Sequence, residues 1–308
     1  MKRKVIQLAG KTLVVSIPTK WAKANNITKG DEIDVQEEHR TLILNSDGGS
    51  QWERIELDLS KATDRVVRWT LSALHKKGYD EMYIIFRSNT SIPRIVDDLV
   101  KNLYIGFAVI EQTESSITIK RITEELADQF PVTLRRAFSV SLSLAESTLD
   151  LIRKQRYSEI KDLINLEKTN NQLTNFCERI LNKGTKSSHA NPHFLYVVAW
   201  NLEKVADDYK YICEIMSETE EDVIISDETL CIFEETIAYL RSIYELYYSF
   251  DIGTLEKKDR ERKDMIARTK DLLTRTSGLD TVVLSYVLGN IYKIMDFNAS
   301  IIALHTQP

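Results

Sequence analysis

The sequence is poor in cysteine and holds no paired cysteine motif. Cys177, Cys213 and Cys231 are widely spaced, and no CxxC occurs. This spacing argues against a disulfide framework and against a zinc knuckle. The five histidines form no HExxH pattern either. The three cysteines are therefore predicted to be small core residues.

Long apolar runs are also missing. No run approaches the roughly 20 apolar residues that a helix needs to cross a bilayer. The N-terminus is basic, but a short alternating stretch follows it instead of the apolar core of a signal peptide. We therefore expect a cytoplasmic protein without membrane insertion. Its 308 residues, 43% of them hydrophobic and 28% charged, suffice for two or three globular domains.

Acidic residues are absent from the first thirty positions, which nevertheless carry seven basic residues: Lys2, Arg3, Lys4, Lys11, Lys20, Lys23 and Lys29. The rest of the chain holds the other 34 Lys and Arg and all 46 Asp and Glu, so a head of charge +7 precedes a body of −12. A basic cluster on an acidic protein is typical of a polyanion site, most simply one for DNA. The alternative is a solvated face that keeps a small domain soluble.

The first 47 residues predict a small strand-rich domain. Gly10 lies in a turn between two short β-type stretches, Pro18 ends the second stretch, and a short helix near Lys20–Asn25 follows. Two more strands flank a turn at Glu38–Arg40. A unit of this size buries too little apolar surface to be stable alone, so we expect it to dimerise or to pack on a neighbour.

The segment RKVIQLAGKTLVVSIPTKWAKANNITKGDEIDV resembles the AbrB/MazE/SpoVT swapped-hairpin domain over residues 2–44. The resemblance implies a β-barrel homodimer with interleaved hairpins. It also implies DNA binding through the first hairpin and the loop into the helix, hence through Arg3, Lys4, Lys11, Lys20 and Lys23. Because most of these are lysines, we expect phosphate contacts more than base readout. Some members of this family only dimerise, or act as antitoxins that bind a protein.

Residues 48–122 follow a linker-like stretch and predict a small α/β domain. Strands near 54–59, 81–86, 107–111 and 116–120, with helices ending near 77 and 104, give the order βαβαββ with helices on one side of the sheet. No Gly-rich phosphate loop and no catalytic constellation appears. We expect a packing spacer; a small-ligand sensor is the alternative.

Residues 123–308 show helical periodicity only. Six helices are predicted near 132–154, 157–183, 192–217, 226–250, 254–276 and 279–304, as two three-helix bundles at about 130–220 and 225–305. An internal repeat at an offset of 89 residues supports the division, with matches such as Asn201/Asn290 and Lys204/Lys293. The fold class is thus α+β and multidomain.

An acidic motif lies in the first copy of this repeat. Glu203 and Asp207 are four residues apart, so they share one helix face, and Asp208 is a third candidate ligand. A hard metal ion between the carboxylates would relieve their repulsion. The alternatives are a solvated acidic face, or pairing with Lys204 or with an arginine of a neighbouring helix.

The tail resembles PhoU, the phosphate-uptake regulator, a family built of two three-helix bundles that each carry an E(D)xxxD signature. Glu203 to Asp207 matches the first signature, whereas in the second copy Tyr292 replaces the first carboxylate and only Asp296 remains. The resemblance implies a divalent or ferric ion at Glu203, Asp207 and Asp208. It also implies partners in a phosphate ABC transporter or a sensor protein.

Together these features predict a DNA-binding transcriptional regulator of phosphate uptake, with a head that binds DNA and a tail that receives the phosphate signal. The alternative is a protein-interaction regulator of a phosphate transporter in which the head only dimerises. No nucleophile–base pair or histidine ligand accompanies the carboxylates, so we expect no enzyme.

Overall fold

The computed structural model describes residues 1–8, 10–38, 41–46, 52–87, 89–123, 127–183, 191–220 and 223–306. Two of the three residues of the predicted turn, His39 and Arg40, and most of the predicted linker lie outside these ranges. The chain divides into two compact units, Met1–Gln51 and Trp52–Pro308. The strands of the first unit and the many helices of the second confirm the α+β class.

The first unit consists of two hairpins and a short helix. Strands β1 (Val5–Leu8) and β2 (Thr12–Val15) pair antiparallel, with Val5 opposite Val15. Gly10 has φ +80° in the turn between them, a conformation that glycine adopts without steric cost. Helix α1 (Thr19–Ala24) follows Pro18. Strands β3 (Ile33–Glu38) and β4 (Thr41–Ser46) form a second, separate two-stranded sheet.

The first unit has no apolar core among its described residues, none of which is buried. Both hairpins expose large apolar side chains: Val5, Ile6, Leu8, Leu13, Val15, Val35 and Leu42. Leu13 is 69% exposed and Leu42 63%. Two-stranded hairpins are at best marginally stable in water. The expectation that this unit needs a partner surface therefore has a direct structural basis.

The second unit begins with a four-stranded sheet. Its elements are β5 (Arg54–Asp58), α2 (Asp64–Lys77), β6 (Glu81–Ile85), α3 (Ile92–Asn102), β7 (Phe107–Gln112) and β8 (Ser116–Arg121). The strand order is β5-β6-β8-β7, with β5 parallel to β6 and the other pairs antiparallel. The order along the chain is the predicted βαβαββ.

One face of this sheet packs on α2 and α3. Alternate strand residues such as Met82, Ile84 and Ile119 are fully buried and share a core with Val67 and Leu71 of α2. Alternate residues of the strands face the helix, and residues one helical turn apart on α2 face the sheet. Together they form a single apolar layer.

Ser60 lies between β5 and α2 but does not cap the helix, although serine is a common capping residue. Its backbone N–H is bonded to Asp58 Oδ1 at 3.0 Å, which closes a tight turn after β5. The helix begins after Thr63 instead. Serine and aspartate side chains compete for the same local backbone donors, so a cap and a turn are hard to distinguish by sequence.

His75 of α2 lies within the core of the α/β segment. Its ring stacks on Tyr104 with centroids 4.2 Å apart and meets Phe107 edge-on at 5.0 Å. The side chain is fully buried, and neither ring nitrogen has a hydrogen-bond partner among the described residues. Burial, reinforced by the charges of Arg179 and Lys76, holds the pKa of His75 well below its ordinary value.

This environment predicts an acid-sensitive stability that His75→Phe removes. A lowered folded-state pKa means that the unfolded chain binds the proton more tightly. The contribution of His75 is therefore present above about pH 6.5 and is lost as pH falls below it, by up to about 1.4 kcal/mol per pH unit. Relative to the wild type, the free energy of unfolding of His75→Phe should rise progressively between pH 6.5 and 5, as measured by urea denaturation. A difference that does not change between pH 8 and pH 5 would contradict the prediction.

The helical segment contains α4 (Phe130–Arg153), α5 (Tyr157–Ile160), α6 (Ile164–Lys183), α7 (Pro192–Ser217), α8 (Asp227–Tyr248), α9 (Ile252–Arg275), α10 (Leu279–Met295) and α11 (Phe297–His305). Two predicted helices are each broken into pieces. A 3-10 turn at Lys161–Leu163 separates α5 from α6, and Asp296 separates α10 from α11. No glycine or proline lies at either break, so the sequence holds no helix-ending residue that would predict the breaks.

Helices α4, α6 and α7 pack on one another, as do α8, α9 and α10. Contacts of α10 with α7 and of α4 with α8 join the two groups around one continuous apolar core. The repeat-matched helices α7 and α10 are therefore neighbours. Among the described residues, no helix combines the length and apolar character required to span a bilayer.

Candidate nucleic-acid interface and acidic motif

The five predicted DNA-contacting residues all lie on exposed positions of the first unit. Arg3 and Lys4 directly precede β1, Lys11 lies in the turn between β1 and β2, and Lys20 and Lys23 lie on α1. They therefore occupy three local positions, namely the strand entry, the hairpin turn and the short helix.

None of these five side chains forms an ion pair with another described residue. The nearest acid in the sequence after them is Asp31, beyond α1. Their charges are thus available to an external anion. Lysine provides a point charge on a flexible stem, which suits phosphate oxygens better than the fixed geometry of a guanine edge.

The acidic motif in α7 has a different setting, because lysines surround it. Lys204 Nζ lies 3.3 Å from Glu203 Oε1 and 3.1 Å from Asp207 Oδ2. Lys76 of α2 lies 3.1 Å from Glu203 Oε2, and Lys210 lies 3.0 Å from Asp207 Oδ1. Pairing with Lys204, one of the alternatives that the sequence left open, is thus present.

Asp208 is not part of this group. It is buried, and its carboxylate accepts a hydrogen bond from Lys293 of α10. A Cβ added at Gly289 would lie 3.2 Å from Asp208 Oδ2, so the backbone of α10 approaches this carboxylate closely. Asp207 points toward Lys210, which also contacts α6 through Glu167. The three predicted ligands therefore do not converge on one point.

The pKa shifts follow these contacts. Burial acts to raise the pKa of Asp207, but hydrogen bonds and charges from Lys210 and Lys204 outweigh it and lower the pKa. For Asp208, burial outweighs the attraction of Lys293 and raises the pKa. Burial alone would lower the pKa of Lys204, but the neighbouring carboxylates raise it. Asp207 and Lys204 are thus each held in the charged form by the other.

These residues do not fit a metal ion. The described residues contain no group of three or more His, Cys, Asp or Glu side chains that could hold one. A hard cation needs carboxylate oxygens as ligands, and here those oxygens accept from lysine ammonium groups.

The second copy of the motif has only one carboxylate, that of Asp296. Asp296 is exposed at the junction of α10 and α11, and Tyr292 is 37% exposed. The repeat-matched lysine of this copy, Lys293, bonds to Asp208 of the first copy.

Sequence reasoning missed two of the lysines beside the motif, Lys76 and Lys210. Lys76 lies more than a hundred residues before the motif, on a helix of the α/β segment, and Lys210 also reaches Glu167 on α6. The spacing of Lys204, Asp207 and Lys210 at three-residue intervals on one helix was a usable signal, because such neighbours pair on helix surfaces.

Comparison with known proteins gives a match for the first unit. Residues 6–47 match the family described as antidote-toxin recognition MazE, bacterial antitoxin. Neither the curated proteins nor the solved structures include a significant match to the chain. The predicted resemblance of the head is confirmed, because residues 6–47 match a MazE/AbrB-type domain.

Proposed function

We propose that the chain is a DNA-binding transcriptional regulator of phosphate uptake and phosphate homeostasis that acts as a homodimer. The DNA-binding part rests on five exposed basic side chains of the first unit, none in an ion pair with a described residue. Residues 6–47 of this unit match the MazE family, and Arg3 and Lys4 lie just before the matched residues. Positive charge that no described residue neutralises favours a polyanion.

Dimerisation through the first unit accounts for its exposed apolar strands. The two hairpins form separate sheets and leave side chains such as Leu13 and Leu42 in solvent. Interleaving with the hairpins of a second copy, as in a swapped-hairpin β-barrel, would bury these faces and remove free strand edges. A two-fold dimer would present two equivalent basic surfaces to DNA.

The second unit would receive the signal. The α4/α6/α7 and α8/α9/α10 groups are consistent with the two three-helix bundles of a PhoU-like tail, as is the 89-residue repeat. In this proposal the tail contacts a component of a phosphate ABC transporter or a sensor protein in the cytoplasm, and thereby changes how the heads engage DNA.

The proposal assigns no catalytic activity. Cys177 and Cys213 are buried, and burial raises the pKa of both thiols, that of Cys213 to about 11. Neutral, enclosed thiols are poor nucleophiles. His75 is enclosed within an aromatic cluster.

The alternative function is a protein-interaction regulator of a phosphate transporter whose head only dimerises. The same exposed strand faces favour it, because they explain dimerisation without any DNA contact. The two functions differ in whether the lysines of the head bind DNA.

A salt series tests DNA binding by lysines. With four lysines and Arg3 in each protomer, a dimer offers up to about ten phosphate contacts, so the slope of log K against log salt should lie between about −5 and −9. The measurement is fluorescence anisotropy of the full chain on labelled duplexes from the upstream regions of phosphate-transport genes and on unrelated duplexes. A folded dimer, verified by sedimentation, that binds no duplex at low salt would exclude the DNA-binding function. Binding with a flat salt response would exclude phosphate contacts as its basis.

A further inference from the structure

Seven side chains around the acidic motif form one continuous alternating row, here named the lysine–carboxylate ladder: Glu178, Lys76, Glu203, Lys204, Asp207, Lys210 and Glu167. Each lysine bridges the two carboxylates beside it. The row draws on three helices, α2, α6 and α7.

The distances along the ladder run from 3.0 to 3.3 Å. Lys76 Nζ lies 3.0 Å from Glu178 Oε2 and 3.1 Å from Glu203 Oε2. At the other end, Lys210 Nζ lies 3.0 Å from Asp207 and 3.0 Å from Glu167. These distances lie within the ordinary range of N–H···O hydrogen bonds.

The ladder is largely withdrawn from water. Glu178 is fully buried, and apart from Lys204 no side chain of the ladder is more than 18% exposed. The Trp200 ring lies over it, with its centroid 5.0 Å from Lys76 Nζ and 5.1 Å from Lys204 Nζ. An indole face attracts ammonium groups, so Trp200 helps to hold both lysines in place.

Burial of this kind requires internal neutralisation. Burial raises the pKa of both Glu178 and Glu167, and nearby lysine charges oppose the shift. Buried carboxylates that keep their charge need a cation at hydrogen-bond distance. Lys76 supplies it to Glu178, and Lys210 supplies it to Glu167. A divalent ion would have to displace these lysines while facing the positive charge of those that remain.

We infer that the ladder takes the place of the metal ion that the PhoU resemblance implies, so that the tail works without divalent or ferric ions. Lys76 belongs to α2, whereas its two carboxylate partners belong to α6 and α7. The ladder is therefore also a clasp between the α/β segment and the helical segment. This inference does not depend on whether the head binds DNA.

Two measurements on the full chain test it. In the first, purified protein is incubated with excess Mn²⁺ or Fe³⁺, desalted and analysed for metal, and its thermal unfolding is recorded with Mn²⁺ and with EDTA. We expect no stoichiometric metal and the same midpoint in both solutions. Retention of a stoichiometric ion, or a midpoint raised by Mn²⁺, would overturn the inference, and this arm needs no variant to fold.

The second measurement compares Lys76→Gln/Lys210→Gln, which removes the lysine from α2 and the one at the other end of the ladder, with Lys257→Gln/Lys263→Gln, a matched pair of exposed lysines on α9. Removing two bridging ammonium groups from largely buried carboxylates should lower the melting temperature by about 5–10 °C, whereas the control pair should stay near the wild type. Equal melting temperatures for the two double variants would show that the ladder does not stabilise the fold, and would contradict its role as a clasp.

Discussion

Replacing Asp80 by asparagine is expected to lower the free energy of unfolding by about 3–5 kcal/mol. Asp80 precedes β6 and is fully buried. Its Oδ1 accepts a hydrogen bond from Arg179 Nη2 at 2.8 Å and one from Lys183, and Arg121 Nε lies 2.8 Å away. Its Oδ2 accepts from the backbone N–H of Glu53 at 3.0 Å. An amide in its place removes the one negative charge on which these three cations converge.

The same contacts tie the helical segment to the sheet. Arg179, on α6, also donates to the backbone carbonyls of His75 and Tyr79, both at 2.8 Å. Burial, together with the nearby guanidinium groups, lowers the pKa of Lys183 even though Asp80 opposes the shift. The cluster is therefore crowded with positive charge, and removal of its carboxylate should be costly.

Chemical denaturation followed by circular dichroism measures this effect. Asp97→Asn is the matched control, because Asp97 makes an exposed i,i+4 pair with Lys101 and should change stability by less than about 0.5 kcal/mol. Burial acts to raise the pKa of Asp80, but its hydrogen bonds outweigh this and lower it. Its contribution is thus present above the ordinary aspartate pKa of about 3.9, so the difference from the wild type should shrink below pH 4. A loss under about 1 kcal/mol at neutral pH would contradict the prediction.

The triple change Lys4→Glu/Lys11→Glu/Lys20→Glu should weaken DNA binding by about 100-fold or more at low salt. It replaces attraction to phosphate by repulsion at the strand entry, the hairpin turn and α1, all on exposed positions. Exposed side chains outside ion pairs contribute little to stability, so the fold and the dimer should persist. The measurement is anisotropy on the same duplexes, with sedimentation as the check on the dimer.

Its control reverses three exposed lysines of the second unit, Lys101, Lys154 and Lys257, and so has the same net charge. If overall charge governed binding, the two triple variants would lose affinity equally, and the head would not be the DNA site. In cells, loss of regulation in the head variant supports the DNA-binding function. Regulation that persists there supports the alternative in which the head only dimerises.

Local sequence signals predicted most of the secondary structure correctly. The βαβαββ order followed from alternation and from the glycine at the end of α2: Gly78 has φ +113°, and a Cβ there would lie 2.6 Å from Lys183 Cγ. The breaks near Lys161 and at Asp296 were missed, because they depend on how the flanking helices pack. The basic head was visible in the sequence because its signal is a contiguous charge asymmetry.

For the acidic motif, the local sequence could not predict what neutralises the carboxylates. Two carboxylates one helical turn apart are compatible with a metal, with solvent or with lysines, and their spacing is the same in each case. The contact of Lys76 with Glu203 shows that the carboxylates pair with lysines. Lys76 reaches Glu203 only because α2 packs on α6 beside α7. Arg179 and Asp80 likewise meet across almost a hundred residues.

By itself, the sequence determined the α+β class, the order of elements and the position of the basic, strand-rich head, since each rests on neighbouring residues and their periodicity. Only the tertiary structure decided which charges neutralise one another. Ion pairing depends on distances of a few ångströms between segments far apart in the chain, and packing alone sets those distances. The head's lysines stayed outside ion pairs with the described residues, whereas those beside the acidic motif did not.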